Sequence, residues 1–142
     1  RVGPASKPVA DRSYRQLAFT PEGIGLRPFS ACHVAQPWRT AREPGDLVIR
    51  WTRRSRALAA DSWTAAEAPL AEESEAYEVD ILDGTAVKRT LVTTTTSVTY
   101  TGAQQIADRS ALLGLGDALD VRIYQLSALV GRGAPESVTL QF

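Results

Sequence analysis

Three stretches of the chain alternate apolar and polar residues with a period of two, which is how a strand with one dry and one wet face reads. In Asp46-Leu-Val-Ile-Arg-Trp-Thr52, Leu47, Ile49 and Trp51 share one face and Val48, Arg50 and Thr52 the other. In Ala76-Tyr-Glu-Val-Asp-Ile-Leu82, Tyr77, Val79 and Ile81 point inward, and Glu78 and Asp80 point away. In Leu119-Asp-Val-Arg-Ile-Tyr124, Leu119, Val121 and Ile123 point inward, and Asp120 and Arg122 outward. One-sided alternation of this kind belongs to antiparallel sheets.

Turn signals fall between these stretches. Glu43-Pro-Gly-Asp46 precedes the first, and Asp83-Gly84 is a hairpin signal leading to a return strand over Ala86 to Thr93. Thr94 to Tyr100 is β-branched and reads as a strand, Gly102 to Asp117 as a short helical turn with a loop, and Ser137 to Phe142 as the last strand, with Val138, Leu140 and Phe142 in phase. With Phe29 to Trp38 as the first, seven strands result, and two sheets must hide their apolar faces against each other. The fold expected is a seven-stranded antiparallel β-sandwich over residues 28–142, with a core of Trp51, Tyr77, Val79, Ile81, Val121 and Ile123. Residues 1–27, rich in proline and glycine, read as a linker or arm with one added strand at Tyr14 to Phe19. A chain of 142 residues beginning at Arg1 and containing no Met reads as a piece of a longer polypeptide.

The connection between Trp51 and Tyr77 is too long for a sandwich turn, and long loops in compact domains are commonly functional. It joins an arginine run, Arg53, Arg54 and Arg56, to an acidic one, Glu72, Glu73 and Glu75, with Trp63 between. Charge is segregated along the whole chain. Residues 1–56 carry 11 basic and 4 acidic groups (+7), residues 57–87 carry none and 8 (−8), and residues 88–142 carry 5 and 4 (+1). Internal pairing of Arg53, Arg54 or Arg56 with Glu72, Glu73 or Glu75 would tether the loop. The arginines beside Trp51 are also a nucleic-acid pattern, but Trp51 is in phase with the buried face and the adjoining segment is acidic, so nucleic-acid binding is not expected.

Residues for chemistry are few. A single histidine, His33, and a single cysteine, Cys32, exclude an imidazole or thiolate metal cluster, and no phosphate loop or nucleophile elbow is present. No cofactor or metal is expected. Glu78 and Asp80 lie about 7 Å apart along one strand face, within the range of a glycosidase pair, yet a solvated face gives the same alternation. Cross-strand ion pairs with Arg122, or with Lys88 and Arg89, are their expected use, and the chain is not expected to be an enzyme.

Two resemblances follow from these residues. Gly45-Asp-Leu-Val-Ile-Arg-Trp51, Tyr77-Glu-Val-Asp-Ile81, Leu119-Asp-Val-Arg-Ile123 and Gly131-Arg-Gly133 followed by Pro135 and Ser137 resemble a fibronectin type III domain, with Trp51 and Tyr77 in its core positions. Leu119 departs from that family, most members of which have a tyrosine there. A narrower resemblance rests on Leu26-Arg-Pro-Phe-Ser-Ala-Cys-His-Val34, Trp51-Thr-Arg-Arg-Ser-Arg56, Asp61-Ser-Trp63, Pro69-Leu-Ala-Glu-Glu-Ser-Glu-Ala-Tyr-Glu-Val79, Tyr100-Thr-Gly-Ala-Gln-Gln105 and Gln125-Leu-Ser-Ala-Leu-Val-Gly-Arg-Gly133. These are similar to the C-terminal region of the large tail-tip or baseplate protein of siphophage-like particles, especially the gene transfer agents of alphaproteobacteria. That resemblance implies a structural module of a multidomain tail hub, assembled in the bacterial cytoplasm, released in an extracellular particle, and present as a homotrimer among other hub and baseplate chains near the host surface. Arg53, Arg54, Arg56, Trp63, Glu72, Glu73 and Glu75 are the candidate interaction residues. A second expectation is a carbohydrate-binding accessory sandwich of a secreted enzyme, using Trp38 or Trp63.

Overall fold

The computed structural model describes residues 2–18, 20, 23–35, 45–57 and 68–142. Among these the elements run β1 (Cys32–Ala35), β2 (Leu47–Thr52), β3 (Tyr77–Asp83), β4 (Ala86–Thr93), β5 (Ser97–Tyr100), α1 (Gly102–Arg109), β6 (Ala118–Ser127), β7 (Gly131–Arg132) and β8 (Glu136–Gln141), after a 3-10 turn at Ile24–Leu26. One antiparallel sheet is ordered β1-β2-β5, and the other is ordered β4-β3-β6 with β7 and β8 both pairing to β6. Leu126 and Ser127 take β7 while Ala118 to Ile123 take β8, so these two are one strand interrupted at Gly133 to Pro135. The count is therefore eight strands among the described residues rather than seven, and the fold is an antiparallel β-sandwich of fibronectin type III type.

Period-two alternation builds the core directly. Leu47, Ile49 and Trp51 from β2 meet Tyr77, Val79 and Ile81 from β3 and Leu119, Val121 and Ile123 from β6, and all are buried. Each such side chain contributes about 1.5–3 kcal/mol on leaving water. Trp51 and Tyr77 join the two sheets edge-to-face with ring centroids 5.2 Å apart, a favoured aromatic geometry. The β3–β4 hairpin turns at Gly84, whose φ of 60° lies in the left-handed region. Val138 and Phe142 pack against the core and Leu140 is buried within it.

Helix α1 closes the far end of the sandwich. Thr101 caps it by accepting from the Gln104 backbone N–H, while the Gln104 side chain accepts from the Thr101 N–H, a reciprocal capping box. Gln105, fully buried, donates from Nε2 to the carbonyls of Gly45 and Tyr100 at 2.8 Å each and accepts from the Leu113 N–H at 3.0 Å. The corner before β6 is closed by Asp117, which accepts from the Gly114 N–H, and by Phe142, whose carbonyl accepts from Gly116.

Two strands begin later than expected. β1 starts at Cys32 rather than Phe29, and its expected end at Trp38 lies outside the described residues. β5 begins at Ser97 rather than Thr94 because the Thr93 and Thr95 hydroxyls both donate to the Ser97 carbonyl, and such local side-chain bonds favour a bend over a ladder. In the arm, residues 14–18 form no strand. A single antiparallel bridge joins Val2 to Arg15, and the Tyr14 hydroxyl donates to the Pro4 carbonyl. Phe19 lies outside the described residues.

Candidate interaction surface

Antiparallel register gathers several connections at one end of the sandwich. Tyr77 at the start of β3 pairs with Thr93 at the end of β4 and with Gln125 near the end of β6. The Trp51 N–H donates to the Thr96 carbonyl, which brings the end of β2 to the same level. The long loop after β2, the threonine bend and the β6–β7 turn therefore lie together. The arm joins them through Pro28, whose carbonyl accepts from the Ala134 N–H. Gly133 permits this close approach, since a Cβ there would stand 2.7 Å from the Pro28 carbonyl oxygen and 2.9 Å from that of Gln125.

At this end the two roots of the long loop are clamped together. Arg53 donates from Nη1 to Glu75 Oε1 at 2.9 Å and from Nε to the Ala68 carbonyl at 2.6 Å. The Tyr77 hydroxyl donates to the same Glu75 oxygen, and burial first, then the Glu75 carboxylate, holds that phenol well above its ordinary pKa. Arg56 donates from Nε and Nη2 to Glu72 Oε1 at 3.1 and 2.6 Å, and from Nη1 to the Gly25 carbonyl. Glu72 is nearly covered by this contact. Arg54 takes no carboxylate among the described residues and instead places its guanidinium 5.3 Å from the Phe29 ring centroid. Glu73 is exposed, and Trp63 lies outside the described residues. Of the candidate residues, Arg53, Arg56, Glu72 and Glu75 are thus internal anchors, while Arg54 and Glu73 face solvent.

The acids of β3 differ from their expected use. Asp80 is only 2% exposed, not solvated, because a side chain from another element covers it. That side chain is Arg132 of β7, which donates to Asp80 Oδ2 and Oδ1 at 2.8 and 3.0 Å and to Glu78 Oε2 through Nε. The Thr90 hydroxyl supplies a further bond to Asp80 Oδ1, and the guanidinium rests 4.3 Å from the Tyr124 ring centroid. Burial pushes the Asp80 carboxyl up, but the bonds from Arg132 and Thr90 outweigh it and leave the pKa below the ordinary carboxylate range. Of the partners expected for Glu78 and Asp80, Arg122 does stand cross-strand from Asp80 and its charge helps to lower that carboxyl, whereas Lys88 and Arg89 are otherwise arranged. Lys88 meets Asp83 at 3.3 Å, and Arg89 grips Asp108 of α1 in a fork at 2.7 and 2.8 Å. The Tyr100 hydroxyl joins that cluster by donating to Asp108 Oδ2, and burial first, then Asp108, pushes its pKa up to about 12.

Chemically, these clusters hold the fold together. A general acid needs a raised carboxyl pKa, whereas Asp80 is lowered and both β3 acids already accept from one guanidinium. No group of three His, Cys, Asp or Glu side chains among the described residues is placed to hold a metal ion. Cys32 is a free thiol within 3.6 Å of the Thr52 carbonyl, and His33 is exposed at a φ of 50°.

No family model matches the chain, and no curated protein matches it. Among solved structures, the solution structure of the fibronectin type III domain of human fibronectin type III domain containing protein 3 is similar in fold. The two share 11% identity over 80% of this chain and 84% of that one, with a TM-score of 0.49. Strand order and register in the chain itself carry the fold assignment.

Proposed function

We propose that this chain is a non-enzymatic structural and interaction module of a phage-like tail tip or baseplate hub, as in a gene transfer agent. In that role it would serve particle assembly and host attachment or DNA delivery. The observation that carries the reading is the clamped long loop. Arg53–Glu75 and Arg56–Glu72 fix both roots of a connection far longer than the sandwich needs, at the end where the other loops converge. Loops positioned by a rigid scaffold are where binding function concentrates. The motif series from Leu26 to Gly133 supplies the particle context, and with it a homotrimeric setting among other hub chains and an extracellular location.

The test is localisation followed by charge reversal. Antibody against this domain should label the tail end of particles from a producing culture, and label confined to soluble secreted protein would overturn the reading. Because Glu72 and Glu75 are anchors, reversal belongs at the exposed pair instead. Arg54→Glu with Glu73→Arg should lower assembly or attachment while leaving the melting temperature within about 2 °C, as solvent-facing substitutions do. The carbohydrate-binding reading rests on Trp38 and Trp63, both outside the described residues, and no observation favours it.

A further inference from the structure

The end of the sandwich that gathers the loops also carries exposed apolar side chains. The 3-10 turn lies against the β6–β7 turn, since a Cβ on Gly23 would stand 3.6 Å from Val130 Cγ1. Around that junction Ile24 is 68% exposed, Leu26 55%, Phe29 45% and Leu129 79%. Ile24 and Leu26 on the 3-10 turn, Leu129 on the β6–β7 turn and Phe29 beside them are not the scatter of single residues found on any surface. Two exposed cations, Arg27 and Arg54, flank them, and neither makes an ion pair among the described residues. Residues 23–35, 53–57 and 128–135 contain no Asp or Glu at all. Of the neighbouring acids, Glu72 and Glu75 are consumed by Arg56 and Arg53, which leaves Glu73 as the exposed carboxylate of the adjoining bend.

We infer that this patch is a docking surface for an anionic lipid bilayer, with Leu129, Ile24, Leu26 and Phe29 entering the interface and Arg27 and Arg54 meeting lipid phosphates. The mix of side chains selects the occupant. Exposed apolar side chains bordered by guanidinium groups that meet no carboxylate among the described residues are how interfacial binders are built. The charge selects the lipid, because unpaired cations within a Debye length of the membrane are drawn to an anionic leaflet. This inference does not depend on the particle reading, and either can fail alone.

Sedimentation of the purified chain with unilamellar vesicles tests it. With phosphatidylcholine containing about one-third phosphatidylglycerol, the chain should pellet with lipid, and it should do so several-fold less with phosphatidylcholine alone or when salt shortens the Debye length to about 3 Å. Ile24→Asp with Leu129→Asp should reduce partitioning about tenfold or more, because two exposed apolar side chains lose their transfer into the interface. Ile24→Ser with Leu129→Ser, which adds no charge, should lower it in the same direction. Both substituted sites are exposed, so an unchanged melting temperature checks that the fold is intact. Arg27→Glu with Arg54→Glu should remove the preference for the anionic vesicles. Three results would each overturn the inference: no pelleting at millimolar lipid, equal pelleting in the Ile24 and Leu129 variants, or concentration-dependent self-association that the same variants abolish.

Discussion

The Arg132 guanidinium reaches across β6 and holds Asp80 of β3 by both oxygens, at 2.8 and 3.0 Å, where Asp80 is almost wholly shielded from water. The two residues are 52 apart in the chain, and the contact ties the interrupted edge strand to the middle of the sheet. Removing one member of such a pair leaves the other charged and buried, which costs far more than an exposed ion pair is worth. Arg132→Met should destabilise the chain by about 2–4 kcal/mol, discounted from a fully buried pair because the arginine itself is partly exposed. Asp80→Asn on that background should recover part of the loss in urea unfolding, and strictly additive effects would falsify the coupling.

Acid should weaken the fold through two carboxyls. Asp80 is held below its ordinary pKa against the opposing effect of burial, and Asp108 is lowered chiefly by the bonds from Arg89. A carboxyl depressed in the folded state contributes stability that is present above its unfolded value, about 3.9, and is lost as pH falls through the folded one. The melting temperature should therefore decline as pH drops from about 5 toward 2, and the decline should flatten in Asp80→Asn and Asp108→Asn. The sign is opposite for Tyr100, whose raised pKa gives a contribution complete below the unfolded value of about 10. It is lost as pH rises through about 12. Tyr100→Phe should delete that component from an absorbance titration.

Gln105→Leu should cost about 2 kcal/mol or more in urea unfolding. It removes the side-chain bonds to the Gly45 and Tyr100 carbonyls and to the Leu113 N–H in a site closed to water. A neutral result would mean that the apolar contacts of a leucine offset all three.

Arg56→Ala should loosen the loop roots first. The bonds to Glu72 and the Gly25 carbonyl vanish, so amides of residues 68–76 should exchange with solvent faster. Global stability should fall as well, by about 1–3 kcal/mol, since Glu72 is left nearly covered and without its cation. Exchange unchanged in that segment would show that Arg53 and Glu75 suffice to hold it.

Much of this architecture is legible from alternation alone, because a period of two assigns every residue of β2, β3 and β6 to a face without knowledge of partners. What alternation cannot state is what covers the outer face. Asp80 reads as wet because its neighbours alternate, and its cover comes from Arg132, on a strand of two residues too short to show any period. Gln105 likewise hides inside a helix, since a buried amide is visible only once Gly45, Tyr100 and Leu113 are brought around it. The loop clamp was more accessible, as opposite charges at both roots of one long connection have few other places to go. Which arginine meets which acid depended on geometry, and it left Arg54 and Glu73 over.

The interrupted edge strand also sets how the sandwich responds to tension. Pro28 lies beside the Ser127 end of β6 and Phe142 beside the Ala118 end, two levels separated by a strand of ten residues, roughly 30 Å. A pull between those points runs parallel to the strands, so β8 must slide along β6 with its hydrogen bonds loaded together in shear, not peeled one at a time. Arg132 pins the sliding strand near its upper end by a bond that crosses to β3. A force applied between Pro28 and Phe142 would therefore meet the whole β6–β8 ladder before the sandwich lengthened.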